Sequence, residues 1–125
     1  MTYAGIILFK GNKILLQLRD NSPKISNPNK WGIFGGGVER SETPEQAAIR
    51  ELKEELGLRV DKLDLFLQTE FNNEKIYLFR LKIKNVSNLR LNEGADMAFF
   101  SKEEILNLKN AVPGLKDMIK NFLIT

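Results

Sequence analysis

Short apolar runs separated by polar turns recur along the chain and predict a sheet. Residues 3–9 contain a compact apolar run, which is typical of a buried strand, and residues 13–19 (KILLQLR) alternate well enough to predict a second strand. Gly11-Asn12 between them is a turn signal. Further strands are predicted at residues 31–34, 60–71, 75–83 and 97–100. Asn72-Asn73 predicts a hairpin between the two longest of these strands.

The longest helix is predicted between Thr43 and Gly57. Thr43 is a good N-cap residue, and Gln46 completes a capping box with it. Pro44 suits the first helical position, and Gly57 is the expected C-terminal glycine. The start and the end of this helix therefore both have a local chemical signal.

Two shorter helices are predicted towards the C-terminus. Ser101 opens the first, because Glu104 completes a capping box three residues later. Pro113 should lie in the first turn of the second, which reaches Phe122. The mixture of strands and helices along 125 residues, 42% of them apolar, predicts one α/β domain over residues 1–125, with helices on both sides of a sheet.

Composition excludes several kinds of chemistry. The chain has no cysteine and no histidine, so catalysis must depend on carboxylates, Lys, Arg, Tyr or a bound metal. Its 19 cations and 16 anions form no basic block, so no strong nucleic-acid binding is expected. We expect a cytoplasmic protein with no membrane partner, since there is neither a signal-peptide pattern nor a long apolar run. The sequence leaves a homodimer open.

The predicted long helix has two stripes when its residues are spaced at about 100° each. The apolar stripe, which should pack on the sheet, consists of Ile49, Leu52 and Leu56. The acidic stripe on the other side consists of Glu51, Glu54 and Glu55. A solvent-exposed face is the ordinary explanation of such a stripe.

Two electrostatic costs count against the ordinary explanation. Glu51 precedes Glu54 and Glu55 by three and four residues, and like charges at that spacing destabilise a helix by about 0.2–0.5 kcal/mol each. Glu54 and Glu55 also lie in the last turn, where the helix dipole disfavours anions by about 0.3–1 kcal/mol. A divalent cation prefers carboxylate oxygens and would turn this repulsion into a binding site, so the stripe predicts a magnesium site.

The same segment resembles the Nudix box, G-x5-E-x7-R-E-U-x-E-E-x-G-U, in which U is aliphatic, at every specified position. In this chain those positions are Gly36, Glu42, Arg50, Glu51, Leu52, Glu54, Glu55, Gly57 and Leu58. The resemblance implies a Nudix-type α/β/α sandwich with a mixed β-sheet.

The resemblance also implies an activity, which is metal-dependent hydrolysis of a nucleoside diphosphate linked to another group. Mg²⁺ or Mn²⁺ would be the cofactor, and a small nucleotide would be the partner. A nucleoside triphosphate, a damaged nucleotide or a nucleotide sugar would suit the compact chain. The alternative is a non-catalytic module that senses a nucleotide or binds a protein. Degenerate members of the family usually lose the acids of the box, and this chain has lost none.

Roles for individual residues follow from the resemblance. Glu54 and Glu55 would be the main metal carboxylates, and Glu51 would be a third ligand or a base. The carbonyl of Gly36 would add an oxygen ligand. Arg50 would orient Glu51 or Glu54 without touching the substrate.

The general base is left unassigned by the sequence. Because histidine is absent, the base must be Glu51, Glu93 or another acid. Glu93 lies in the predicted loop N-E-G-A-D, and family members often have an acid in a similar loop. An ordinary turn at Asn92-Glu93-Gly94 explains the same residues.

Substrate contacts are predicted at two positions beside the polar loop of residues 20–30. Arg19 could hold a phosphate through a bidentate contact, with a surface salt bridge as the alternative. Trp31 could stack on a base, with core packing as the alternative. Core packing is the expectation for most of the other aromatic candidates, which are Phe34, Phe71, Tyr77 and Phe79.

Overall fold

The computed structural model describes residues 1–84 and 87–120. The strands in this part of the chain are β1 (Thr2–Lys10), β2 (Lys13–Leu18), β3 (Trp31–Gly32), β4 (Phe34–Gly37), β5 (Asp64–Phe71), β6 (Glu74–Lys82) and β7 (Asp96–Ser101). The helices are α1 (Pro44–Leu56), α2 (Lys102–Leu106) and α3 (Leu115–Lys120). None of these described helices has both the length and the apolar character that crossing a membrane would require.

The described strands form one mixed sheet with β1 at its centre. The hydrogen-bonded order is β3-β2-β1-β6-β5, while β4 also pairs with β1 and β7 pairs with β2. β1 runs antiparallel to β2 and β4 but parallel to β6, with Tyr3 opposite Ile76. Parallel neighbours need a long connection, and the chain between β1 and β6 supplies one that includes α1. The N-terminal half of β1 therefore lies between β4 and the start of β6.

Side chains alternate across β1, so the sheet has two apolar faces. Ala4, Ile6 and Leu8 form a buried cluster with Leu52 and Leu56 of α1. On the opposite face, Ile7 forms a second buried cluster with residues of α2 and α3, namely Ile105, Leu115 and Ile119. The predicted α/β class, with helices on both sides of the sheet, is confirmed.

The local signals for the helix ends are also confirmed. The Thr43 hydroxyl accepts a hydrogen bond from the backbone N–H of Gln46, and the Gln46 side chain accepts one from the backbone of Thr43. Gly57 caps the C-terminus of α1 in the left-handed conformation. Ser101 and Glu104 form the corresponding box at the start of α2.

Three predicted boundaries are wrong. The strand predicted at residues 31–34 is two strands, and the second continues to Gly37 because the glycines pair with β1. β5 begins at Asp64 and not at residue 60, and the chain just before it is tied to α1 by a hydrogen bond of 2.9 Å from the Leu63 N–H to the Glu45 carboxylate. Pro113 lies in a turn before α3 rather than in its first turn. The predicted end of that helix, Phe122, lies outside the described residues.

Candidate active site

The C-terminal half of α1 packs against the glycines of β4, and this contact buries one of the three predicted acids. Glu55 is only 3% exposed. Its Oε2 accepts a hydrogen bond of 3.3 Å from the backbone N–H of Gly35. Glu55 follows Leu52 by three residues, so it borders the apolar stripe of the helix. Glu55 is therefore the buried edge of the acidic stripe, and the stripe is not simply a solvent-exposed face.

The missing side chains of two glycines make room for the carboxyl groups. A Cβ on Gly36 would overlap the carboxylate of Glu51. A Cβ on Gly35 would overlap the backbone of Ala4, and the φ of Gly35 is 147°, which L side chains rarely adopt. The two glycines therefore form a cradle in which the carboxyl groups of α1 approach the strand closely.

Burial and mutual repulsion raise the pKa values of Glu51 and Glu55. Burial is the main cause that raises the pKa of Glu55 to about 9, and the nearby charge of Glu51 adds to it. Burial also raises the pKa of Glu51, although the Arg50 guanidinium opposes this. The two carboxyl groups lie close enough to share a hydrogen bond. Without a cation, Glu55 is therefore largely protonated at neutral pH.

Arg50 is the centre of a network behind these acids. Its Nε and Nη2 donate to the Glu42 carboxylate at 2.6 and 2.9 Å, and its Nη1 donates to Glu51 Oε1 at 2.9 Å. Nη2 also donates to the carbonyl of Gly37 at 3.1 Å, and Glu54 Oε2 lies 3.4 Å from Nη1. These contacts lower the pKa of Glu42 and raise that of Arg50. Arg50 is thus placed to orient Glu51, as the resemblance implies.

The loop that carries Glu93 is attached to the end of α1. The backbone N–H of Asn92 donates to the carbonyl of Glu55 at 2.8 Å, and its side chain donates to the carbonyl of Glu54 at 3.2 Å. These bonds satisfy carbonyl groups that a helix end otherwise leaves unpaired. Glu93 is exposed, and its charge contributes to the raised pKa of Glu55. The fold therefore brings Glu93 towards the acids of the helix, while its role as a base stays a prediction.

Of the predicted metal ligands, Gly36, Glu51 and Glu55 meet at the junction of β4 and α1, while the side chain of Glu54 contacts Arg50. Within residues 1–84 and 87–120, however, no three acidic side chains are arranged as a ready metal-binding group. Arg50 engages Glu51, and Glu54 remains 49% exposed in its side chain. The oxygen donors and the glycine cradle still suit a hard divalent cation, since a cation would stabilise two adjacent carboxylates in their charged forms.

A cleft of about 390 Å³ lies on the face of the sheet that α3 covers, and although no acid of α1 lines it, its lining residue Tyr3 is near enough to Glu55 for that charge to act on the hydroxyl. Its lining includes Tyr3, Arg19, Asn27, Phe71, Asn72 and Glu74. Arg19 lies in the cleft as a substrate contact would, and its Nε donates to the carbonyl of Ser26 at 2.8 Å. No carboxylate of the described chain forms an ion pair with Arg19, so the surface salt bridge considered as an alternative is not formed.

The cleft is lined by the aromatic residues Tyr3 and Phe71, and Trp31 is not part of its lining. The Trp31 ring packs edge to face on Phe100, with 4.8 Å between the ring centroids, and belongs to the apolar cluster under α2 and α3. Base stacking by Trp31 stays a prediction, but its packing is accounted for without a ligand. Phe34 and Phe79 are buried in the core as expected, whereas Phe71 remains 40% exposed.

Sequence reasoning missed Tyr3, Asn27 and Glu74 as cleft residues, because each lies on a different segment. One signal was available in the asparagines. Asn27 and Asn72 both have positive φ angles, 50° and 52°, and such residues are enriched at ligand-binding loops.

The chain is similar in sequence to proteins of known description. Over 77 residues, 60% of this chain and 58% of the relative, the sequence is 39% identical to an 8-oxo-dGTP diphosphatase of Escherichia coli K12. Over 66 residues, 53% of this chain and 36% of the relative, it is 35% identical to an RNA pyrophosphohydrolase of Teredinibacter turnerae. The matches thus span less than two thirds of these two relatives.

The fold is shared over nearly the whole chain. The crystal structure of a MutT NUDIX hydrolase from Burkholderia pseudomallei superposes with a TM-score of 0.79, covers 98% of this chain and 97% of that one, and is 18% identical in sequence. The family model described as the NUDIX domain matches residues 1–122. With the complete box from Gly36 to Leu58 and the sandwich around it, this protein is a member of the NUDIX domain family.

Proposed function

We propose that the protein hydrolyses a phosphoric anhydride bond in a nucleoside diphosphate linked to another group. The observation that carries the proposal is the junction of two sites. The paired carboxyl groups of Glu51 and Glu55, with Arg50 behind them, act on the hydroxyl of Tyr3, which lines a cleft that also offers a cation and an exposed aromatic ring. A nucleotide needs both kinds of surface, because its phosphates are anionic and its base is flat and apolar on its faces.

Glu51, Glu54, Glu55 and the carbonyl of Gly36 would hold the cation, for which we propose Mg²⁺ or Mn²⁺. A cation bound there would neutralise phosphate oxygens and acidify a water molecule. The chain itself supplies orientation: Arg50 fixes the Glu51 carboxylate through one hydrogen bond and is fixed in turn by Glu42.

The cleft would hold the rest of the substrate. Arg19 can donate to a phosphate oxygen, since only its Nε is used by the Ser26 carbonyl. Phe71 can stack on a base, because its ring is partly exposed at the hairpin between β5 and β6. Glu93, on the loop tied to the end of α1, is the proposed acceptor for the proton of the attacking water.

One of the two relatives supports a small nucleotide as the substrate, and the other supports an RNA. The Escherichia coli protein is described as acting on 8-oxo-dGTP and the Teredinibacter turnerae protein on RNA. For this chain we propose a nucleoside triphosphate, normal or damaged, over a nucleotide sugar, because the cleft is small.

The test is a substrate panel with purified protein. dGTP, 8-oxo-dGTP, UDP-glucose and a 5′-triphosphorylated RNA would each be incubated with Mg²⁺ or Mn²⁺, and released phosphate would be measured after coupling to pyrophosphatase or phosphatase. We expect hydrolysis of at least one triphosphate and none in EDTA. Binding without hydrolysis of any substrate would support the non-catalytic module instead.

A further inference from the structure

The hydroxyl group of Tyr3 lies between the cleft and the acids of α1. Tyr3 is on β1, opposite Gly37 of β4 and Ile76 of β6, and its side chain lines the cleft. Its hydroxyl oxygen is 2.9 Å from the position that a Cβ on Gly35 would take. The backbone N–H of the same glycine donates to Glu55. The hydroxyl and the Glu55 carboxyl therefore approach Gly35 from neighbouring positions.

The charges around the hydroxyl keep it protonated. Burial and the nearby Glu55 raise the pKa of Tyr3, while the cation of Arg19 opposes them. Glu51 and Glu74 act in the same direction as Glu55. A neutral phenol in this position is a hydrogen-bond donor at any pH at which the protein would work.

This donor has no acceptor in the described part of the chain. No hydrogen bond joins the Tyr3 hydroxyl to another residue among 1–84 and 87–120. The hydroxyl is not among the buried unsatisfied side-chain atoms of the described chain, so it opens to the cleft, where a ligand oxygen can take the place of water as its acceptor. Phosphate oxygens are strong acceptors, and Arg19 in the same cleft favours an anion.

We propose that the Tyr3 hydroxyl donates a hydrogen bond to a phosphate oxygen of the substrate, at the point where the phosphate chain passes from the cleft to the carboxyl groups of Glu51 and Glu55. The inference rests on the proposed function, since it places the phosphates of that substrate. Tyr3 would then be a substrate-binding residue on β1, outside the Nudix box. The phosphate chain would meet two donors, Arg19 in the cleft and Tyr3 nearer to the acids.

The chain offers a matched control, because it contains two tyrosines. The Tyr77 hydroxyl accepts a hydrogen bond of 3.3 Å from the Gln68 side chain at the surface, and Tyr77 does not line the cleft. Tyr3→Phe and Tyr77→Phe each remove one hydroxyl group and keep the ring. Melting temperatures would establish that both variants are folded.

The experiment measures kcat/KM for dGTP with Mg²⁺, the Kd of the non-hydrolysable α,β-methylene analogue of dGTP, and the Kd of Mn²⁺ without nucleotide. For Tyr3→Phe we expect kcat/KM to fall and the analogue's Kd to rise by roughly 10- to 100-fold, the effect of one hydrogen bond to a charged group. The Kd of Mn²⁺ should stay unchanged. If the substitution instead distorted Glu51 and Glu55, the Kd of Mn²⁺ would rise as well. Tyr77→Phe should match the wild type in all three measurements.

The outcomes separate this inference from the proposed function. If Tyr3→Phe and Tyr77→Phe have equal kcat/KM and equal Kd values, the inference about Tyr3 is overturned. If the wild type still hydrolyses dGTP, the proposed function is upheld. Weaker analogue binding in Tyr3→Phe alone, with no hydrolysis by the wild type, would support the phosphate contact and contradict the function. A wild type that neither binds the analogue nor hydrolyses dGTP would overturn the phosphate contact for this nucleotide class.

Discussion

The carboxylate of Glu42 receives two hydrogen bonds from Arg50, at 2.6 Å from Nε and 2.9 Å from Nη2. This pairing fixes the plane of the guanidinium group, so that its remaining nitrogen, Nη1, faces Glu51 at 2.9 Å. Glu42 lies just before α1 and Arg50 lies in its middle. Arg50, which orients Glu51, thus also joins the loop before α1 to the helix.

Arg50→Lys should lower kcat/KM by roughly 10- to 100-fold, the usual effect of removing a group that orients a metal ligand. Lysine keeps the charge but cannot contact Glu42 through two nitrogens while it also reaches Glu51. Turnover measured against Mg²⁺ concentration should show a higher requirement for the metal. Lys53→Arg, on an exposed position of the same helix, is the control. Equal effects of the two substitutions would contradict the role of Arg50.

Glu54→Gln should reduce turnover by several orders of magnitude while the protein stays folded. The substitution removes one proposed metal oxygen and one negative charge three residues from Glu51. The melting temperature in EDTA should therefore stay equal or rise slightly, because Glu54 is exposed and its contact with Arg50 is long, at 3.4 Å. Glu103→Gln, on an exposed position of α2, is the control. A large loss of stability in EDTA would show that the charge of Glu54 has a structural role instead.

The stability of the metal-free protein should fall as pH rises from about 5 to about 9. The pKa of Glu55 is about 9 in the folded chain, against 4.5 for an ordinary glutamate. Between these values the folded state binds more protons than the unfolded state, so the free energy of unfolding decreases with rising pH. Melting temperatures in EDTA at pH 5, 7 and 9 would measure the slope.

Glu55→Gln should flatten that slope, since glutamine stays neutral throughout and can still accept from the N–H of Gly35. Mg²⁺ should also reduce the slope in the wild type, because a cation stabilises the charged carboxylate. Glu103→Gln should keep the wild-type slope. An unchanged slope in Glu55→Gln would place the titrating group elsewhere.

Glu93→Gln tests which acid accepts the proton. If Glu93 is the general base, turnover should fall by about 10²–10⁴-fold while the affinity for Mg²⁺ stays nearly unchanged, because Glu93 lies on a separate loop. Part of the lost rate should return at higher pH, where hydroxide replaces the base. Glu51→Gln should instead weaken metal affinity and turnover together. Near-normal turnover in Glu93→Gln would mark the loop as an ordinary turn.

The sequence by itself determined the elements whose signals are local. The caps of α1 and α2 are formed by residues three positions apart, so Thr43 with Gln46 and Ser101 with Glu104 could be recognised without knowledge of the fold. The box on α1 likewise consists of nearby positions, which made the family evident before the structure.

Only the tertiary structure decided the environment of those residues. Helical spacing placed Glu55 in the acidic stripe with Glu51 and Glu54, but its burial depends on Gly35, twenty residues earlier, whose N–H reaches its carboxylate. The cleft draws Tyr3, Arg19 and Phe71 from three strands or their ends, so no local pattern could identify its aromatic residues as Tyr3 and Phe71 rather than Trp31. Periodicity along a chain shows which residues share a face, whereas the burial and charge of that face depend on what another segment packs against it.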